Sequence, residues 1–326
     1  MADRRLANPV VRIKGDLKRT ILGSVALPLG AELQEPGAPL IEGYESRFVA
    51  SEGQQDDQFD FRIVLTHERV SEIARKLFVE LLPQLVFATF EEFSNDAYRD
   101  VDNWLSEELV DKERLLQAWD SYGHFFVEDV RCGFGGMSYE PLIEVFVEEP
   151  SSINVVCGMD SKERVEKVIR DLGIEELSKA AFLDGIDHTS RDVIEVSKDE
   201  LTMDDLDIKF SILESLGMQP TNRDEGEVGE GPVLYWVEVE LDLSFVAKRP
   251  ANVALASFGL TAEDSREALA TVETALMQQV PGVLIARVLQ VYRILEEDVS
   301  DEIRPERISQ VKRKGIWYRG PIQNWY

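Results

Sequence analysis

The chain has 326 residues, 44% of them hydrophobic, with 62 acidic against 35 basic side chains and a net charge of −27 at pH 7. That is enough apolar material for a sizeable core without crosslinks, and two cysteines, Cys132 and Cys157, exclude a disulfide framework. No apolar run reaches the roughly 18 residues that a membrane-spanning helix needs, and the basic N-terminal residues lack a following apolar stretch, so a cytoplasmic setting is expected.

The charge is unevenly spread. Residues 1–20 carry +4 and the residues from Ile303 onward carry +5, which leaves −36 on residues 21–302. An acidic middle of this size repels nucleic acid and anionic membrane at long range.

Residues 1–58 form an extended, Gly/Pro-rich arm. Gly15, Gly23, Pro28, Gly30, Pro36, Gly37, Pro39, Gly43 and Gly53 separate short apolar pieces such as Ile21-Leu22 and Val25-Ala26-Leu27, a pattern that breaks helices and lays the chain along a surface. Residues 59–218 read as an α+β domain. Phe59, Phe61, Ile63 and Leu65 alternate as a strand; Val70, Ile73, Ala74, Leu77, Phe78 and Leu81 fall at helical spacing before Pro83. A strand is expected at 85–90. Asp111 then opens a helix with Leu115, Leu116, Trp119 and Tyr122 inward, followed by strands at 124–131, 142–148 and 152–157. Asp160 and Glu163 have the spacing of reciprocal caps on a helix that Gly173 ends. The pattern Met159-Asp160 to Leu172-Gly173 repeats as Met203-Asp204 to Leu216-Gly217, which ordinary helix punctuation explains without a duplication.

Residues 219–232 form a linker or long loop, and 233–310 a β-α-β unit. Its first strand points Val237, Val239, Leu241, Leu243 and Phe245 one way and Glu238, Glu240, Asp242 and Ser244 the other. Thr261 is expected to cap a helix with Leu269, Val272, Leu276 and Val280 inward, stopped at Pro281-Gly282. A last strand runs over 283–295, and the spacing puts Arg287 and Arg293 on one face, where they would meet Glu238 and Glu240. The fold class is α+β, with mixed or mainly antiparallel sheets and helices on one face; the C-terminal strand-helix-strand has the order of half a ferredoxin-like sandwich.

No constellation specifies a reaction, and no cofactor, metal or catalytic residue is assigned. His67 and His124 have no partner at ligand spacing. Asp184, Asp187 and His188 sit in a Gly-containing loop and define the alternative reading, a metal-dependent hydrolase, although such residues also build turns. The glycines of Cys132–Met137 fit a bulged hairpin better than a phosphate cradle, which needs a following helix. The remaining feature is a basic, aromatic tail, 311–326, with Lys312, Arg313, Lys314, Trp317, Tyr318, Arg319, Trp325 and Tyr326 as candidate partner-binding residues. These types populate protein hot spots and also stack on bases. The tail either packs on its own acidic body or docks on a partner, another protein or a second copy. The leading expectation is a non-enzymatic interaction or assembly component, with nucleic-acid binding through the cationic termini as a third reading.

Overall fold

The computed structural model describes residues 10–35, 37–50, 57–148, 152–182, 187–197, 202–221, 232–243, 253–300, 303 and 313–324. They divide into two compact units. The first is Met1–Glu92 with Asn103–Thr221; the second is Phe93–Asp102 with Asn222–Tyr326.

The first unit contains, in chain order, β1 (Ile21–Leu22), β2 (Val25–Ala26), β3 (Ala31–Leu33), β4 (Gly43–Val49), β5 (Gln58–Val64), α1 (His67–Leu81), β6 (Leu85–Phe93), β7 (Val101–Ser106), β8 (Val110–Asp111), α2 (Lys112–Phe126), β9 (Cys132–Tyr139), β10 (Leu142–Glu148), β11 (Ser152–Gly158), α3 (Lys162–Asp171), β12 (His188–Ser190), α4 (Asp205–Leu216) and β13 (Met218–Pro220). Its main sheet has the order β13-β7-β6-β9-β10-β11-β5-β4, with β8 beside β6. Alternate residues of these strands, among them Phe61, Ile63, Ala88, Phe90, Phe134, Val145 and Val155, form one core with the inward stripes of α1–α4. The helices therefore cover one sheet face.

Of the expected strand at 124–131, residues 124–126 are the end of α2, which puts His124 in a helical turn, and 127–131 form turns and bends. Trp119 and Phe126 lie at helical spacing and stack 6.1 Å apart at an interplanar angle of 2°. Gly123 leaves the room that the Trp119 ring needs. Burying two large rings against Phe134 and Phe78 outweighs the strand preference of the β-branched residues that follow. The glycine run lies inside β9, not in the hairpin turn, because the Phe146 ring lies flat where side chains at Gly133 and Gly135 would stand. Ile194 makes an isolated bridge to Ile13.

The described part of the N-terminal arm packs on the first unit itself. Leu22, Val25, Leu27, Ala31 and Leu40 form a small cluster with Val64 and Val130. Glu128, 7% exposed, anchors it: its carboxylate accepts both Arg19 guanidinium nitrogens at 2.9 and 2.6 Å, the Leu29 amide at 2.8 Å, and lies 3.3 Å from His67 Nε2.

The second unit contains β14 (Val233–Asp242), β15 (Val253–Ala262), α5 (Ser265–Gln279), β16 (Leu284–Ile294), β17 (Gly315–Arg319) and β18 (Gln323–Asn324). The sheet order is β16-β14-β15-β17, with β18 also on β15. Because β14 is antiparallel to both neighbours, β15 and β16 run parallel, and α5 joins them in a split β-α-β arrangement. Tyr235, Val237, Val239 and Leu241 pack with Phe258, Leu260 and the Ala268, Val272 and Leu276 stripe of α5. Thr261 belongs to β15, not to the helix cap. The cap is Asp264, whose side chain accepts the Glu267 amide, while the Glu267 carboxylate accepts the amide of Glu263, one residue before the cap, a variant of the capping box.

Arg287 stands opposite Glu240 as the spacing suggested, but Arg293 does not share its face. It stands opposite Tyr235. Register shifts in the β14–β16 pairing leave Ala286 and Leu289 unpaired, and each extra residue resets the alternation that a regular strand would keep. Arg293 is 1% exposed and pairs with Asp96, also 1% exposed, from the segment Phe93–Asp102. Its Nε lies 2.9 and 2.8 Å from the two Asp96 oxygens, its amide donates to Oδ2 at 2.9 Å, and its carbonyl accepts from Ala97 N at 2.9 Å. The Arg293 guanidinium lies 5.0 Å from the Tyr98 ring centre.

Candidate protein-docking surface

The described part of the tail, 313–324, is built into the second unit's sheet. β17 pairs with β15, Ile316 joins the core, and Gly320 N donates to Ser257 O at 2.8 Å. Lys314 Nζ lies 2.5 Å from Glu263 and 3.1 Å from Glu267, at the start of α5. These carboxylates raise the Lys314 pKa, while the Glu263 amide and Lys314 hold that of Glu267 below its usual value. Arg313 is exposed, and Arg319 stands exposed at the end of β17. Lys312, Trp325 and Tyr326 lie outside the described residues.

What the tail contributes is Trp317 and Tyr318, which complete a row of aromatic side chains on the sheet face opposite α5. Tyr292, Trp236, Gly259 and Tyr318 are successive register partners across β16, β14, β15 and β17. The gap at Gly259 lets Trp236 and Tyr318 come together, ring centres 5.4 Å apart and planes 19° from parallel. A register shift between Gly259 and Leu260 leaves Trp317 as the extra residue of β17. Its ring lies directly over Gly259, where a side chain would overlap it. A bulge re-aims a side chain, so Trp317 and Tyr318, adjacent in sequence, serve the same face. The Trp317 indole nitrogen is buried and makes no hydrogen bond among the described residues.

Beside this row runs a polar one. Glu238, Glu240 and Asp242 of β14 share the face of Trp236 by alternation, opposite Gln290, Arg287 and Leu284 of β16. The Trp236 indole N–H donates to Glu238 Oε1 at 2.9 Å, and Asn95 Nδ2 donates to Gln290 Oε1 at 3.3 Å. Burial, reinforced by the Glu238 carboxylate, pushes the Tyr292 hydroxyl up to about 12. The face thus combines flat aromatic surface with fixed negative charge. Nucleic-acid platforms place Lys and Arg beside their aromatics; this one places carboxylates there.

The first unit's sheet also carries carboxylates on the face opposite α1–α4, with Arg62 3.7 Å from Glu148 and Arg47 3.1 Å from Asp60. Glu91, Glu144, Glu148 and Asp60 alternate outward on β6, β10 and β5. Glu148 is satisfied by Ser152 Oγ at 3.1 Å and Asn154 Nδ2 at 3.0 Å. Burial, then the neighbouring Glu144 and Glu148 carboxylates, raise Glu91 to about 7, and burial with Glu148 and Asp60 raises Glu144.

Of the loop read as a metal site, Asp184 lies outside the described residues. His188 pairs with Leu33 in a short two-stranded sheet, and the Asp187 carbonyl accepts from Gln34 N. Among the described residues no group of three or more His, Cys, Asp or Glu is arranged to hold a metal ion. Trp236 and Tyr292 were missed by the sequence reading. Trp236 was within reach, since it falls on the polar face of the clearest strand, where a large aromatic is out of place. Tyr292 was not, because the extra residue Leu289 puts it on the opposite face from Val288.

No protein-family model matches this chain, and neither a curated protein nor a solved structure matches it significantly. Fold and site geometry therefore carry the functional argument: this is a two-unit α+β protein in which no described helix is long and apolar enough to cross a membrane.

Proposed function

We propose that this is a non-enzymatic, cytoplasmic interaction or assembly component, and that it docks through the aromatic row Tyr292-Trp236-Tyr318-Trp317. One observation carries the reading. Four large aromatics from three strands share the sheet face opposite α5, and Gly259 is kept bare so that two of them meet. Clustered Trp and Tyr rings on a rigid sheet are what interface hot spots are made of. A cytoplasmic setting fits the two free, buried cysteines, whose thiol pKa values burial raises, that of Cys157 to about 11. The partner is another protein or a second copy of this chain.

Removing the tail is a poor test, because it strips β17 from β15 and uncovers the core. The suitable variants are Trp236→Ala and Tyr292→Ala in the full chain, compared with wild type by light scattering after gel filtration and by affinity capture from the protein's own cells. The reading predicts a lower mass or the loss of one stoichiometric partner in both variants. A wild-type monomer whose captured proteins are the same in all three samples overturns it.

A further inference from the structure

The geometry points to a guanidinium-binding corner within this face: Trp236, Glu238 and Tyr292 take an arginine side chain of the docking partner. The inference rests on the docking reading above and specifies its chemistry. Tyr292 and Trp236 are register partners, and Glu238 is two residues along from Trp236 on the same side of β14. These three groups supply two aromatic faces and one carboxylate.

The carboxylate is held in place. The Trp236 indole N–H donates to Glu238 Oε1 at 2.9 Å, which fixes the side chain and directs its negative charge beside the ring. Tyr292 senses that charge, since Glu238 helps to raise its hydroxyl pKa. A cation is attracted by an aromatic face and by a carboxylate at once, and guanidinium suits both. It stacks flat on indole or phenol and presents paired N–H donors to a carboxylate. A lysine ammonium has no plane to stack and holds its water more tightly.

Charge complementarity agrees at longer range. Glu240 and Asp242 continue the acidic line along β14, with Arg287 the basic residue facing Glu240. The whole chain carries −27, which steers a basic segment inward. The same charge repels a phosphate-bearing partner, so a nucleic acid stacking on these rings is disfavoured.

A protein this acidic attracts any basic peptide, so the test must separate the corner from the general field. A short Arg-Gly-Gly repeat peptide and its Lys-Gly-Gly counterpart are titrated into the full chain by calorimetry at physiological salt. The indole N–H resonance of Trp236, assigned with Trp236→Phe, is followed by NMR. The arginine peptide is expected to bind about tenfold more tightly than the lysine peptide and to shift that resonance. Trp236→Leu, which changes no charge, and Glu238→Gln, which changes little shape, should each weaken binding about tenfold, while Glu163→Gln on α3 leaves it unchanged. Equal affinity for both peptides, or full affinity in Trp236→Leu with a native circular dichroism spectrum, overturns the inference. If the arginine peptide fails while Trp236→Ala still alters mass or capture, the guanidinium corner falls and the docking surface stands.

Discussion

Removing the Asp96 carboxylate should destabilise the second unit selectively. Asp96 and Arg293 lie 197 residues apart in sequence, and both side chains are 1% exposed. Asp96→Ala strips three hydrogen bonds from Arg293 and leaves its cation buried beside Arg99, whose guanidinium lies 3.5 Å from the lost carboxylate. Breaking a buried pair from one side costs about 3–5 kcal/mol, because the surviving charge stays desolvated without that carboxylate. With a urea dependence of about 2 kcal/mol per molar for a unit of this size, the midpoint should fall by roughly 2 M. The assay is urea unfolding followed by hydrogen exchange, so that amides of β14–β16 can be read separately from those of the first unit. The double variant Asp96→Leu/Arg293→Met removes both charges and replaces them with apolar volume. It should recover most of the loss, giving a cycle far from additive. A single-variant cost below about 1 kcal/mol, or additive losses in the double variant, would refute the view that this ion pair fixes Phe93–Asp102 onto the second unit.

Further outcomes follow from the same geometry. Glu91 rises from 4.5 to about 7 in the folded chain, so the folded state holds its proton more tightly than the unfolded one. Its contribution is fully present below pH 4.5 and is lost as pH rises through 7, up to about 3 kcal/mol for a shift of this size; Glu91→Gln should therefore gain on wild type in thermal melts at pH 8 and not at pH 4. Gly259→Ala should cost about 1–3 kcal/mol by overpacking against the Trp317 ring, and Trp317→Ala in the same chain should remove most of that penalty; equal penalties in both backgrounds would show that the ring is not the obstacle. Glu128→Ala withdraws the acceptor for Arg19 and Leu29, so hydrogen exchange should accelerate across residues 20–33 while α1 and α2 keep their protection.

The sequence by itself determined most of the element list and the fold class. The helical stripe Val70 to Leu81 and the alternation Val237 to Leu241 were legible because each reports a single face against a core, at a period that the backbone imposes. It did not contain β15 as a readable strand. Val253–Ala262 is dominated by small residues, which suit a central position between β14 and β17 but leave little periodic signal. It also misplaced the end of α2, where the aromatic stack of Trp119 and Phe126 decided the conformation only once Phe134 arrived from β9.

The tail shows the division most clearly. Its basic and aromatic composition was plain in the sequence, and composition alone left it equally able to dock on a partner or close its own sheet. Tertiary structure placed Lys314 on Glu263 and Glu267, Ile316 in the core, and Trp317 and Tyr318 beside Trp236. It also decided which charges are structural, sending Arg293 into the interior to meet Asp96. The reason is the same in each case. Periodicity reports the faces of one element, whereas register shifts, a bare glycine opposite a ring, and ion pairs across 197 residues exist only after separate strands have paired.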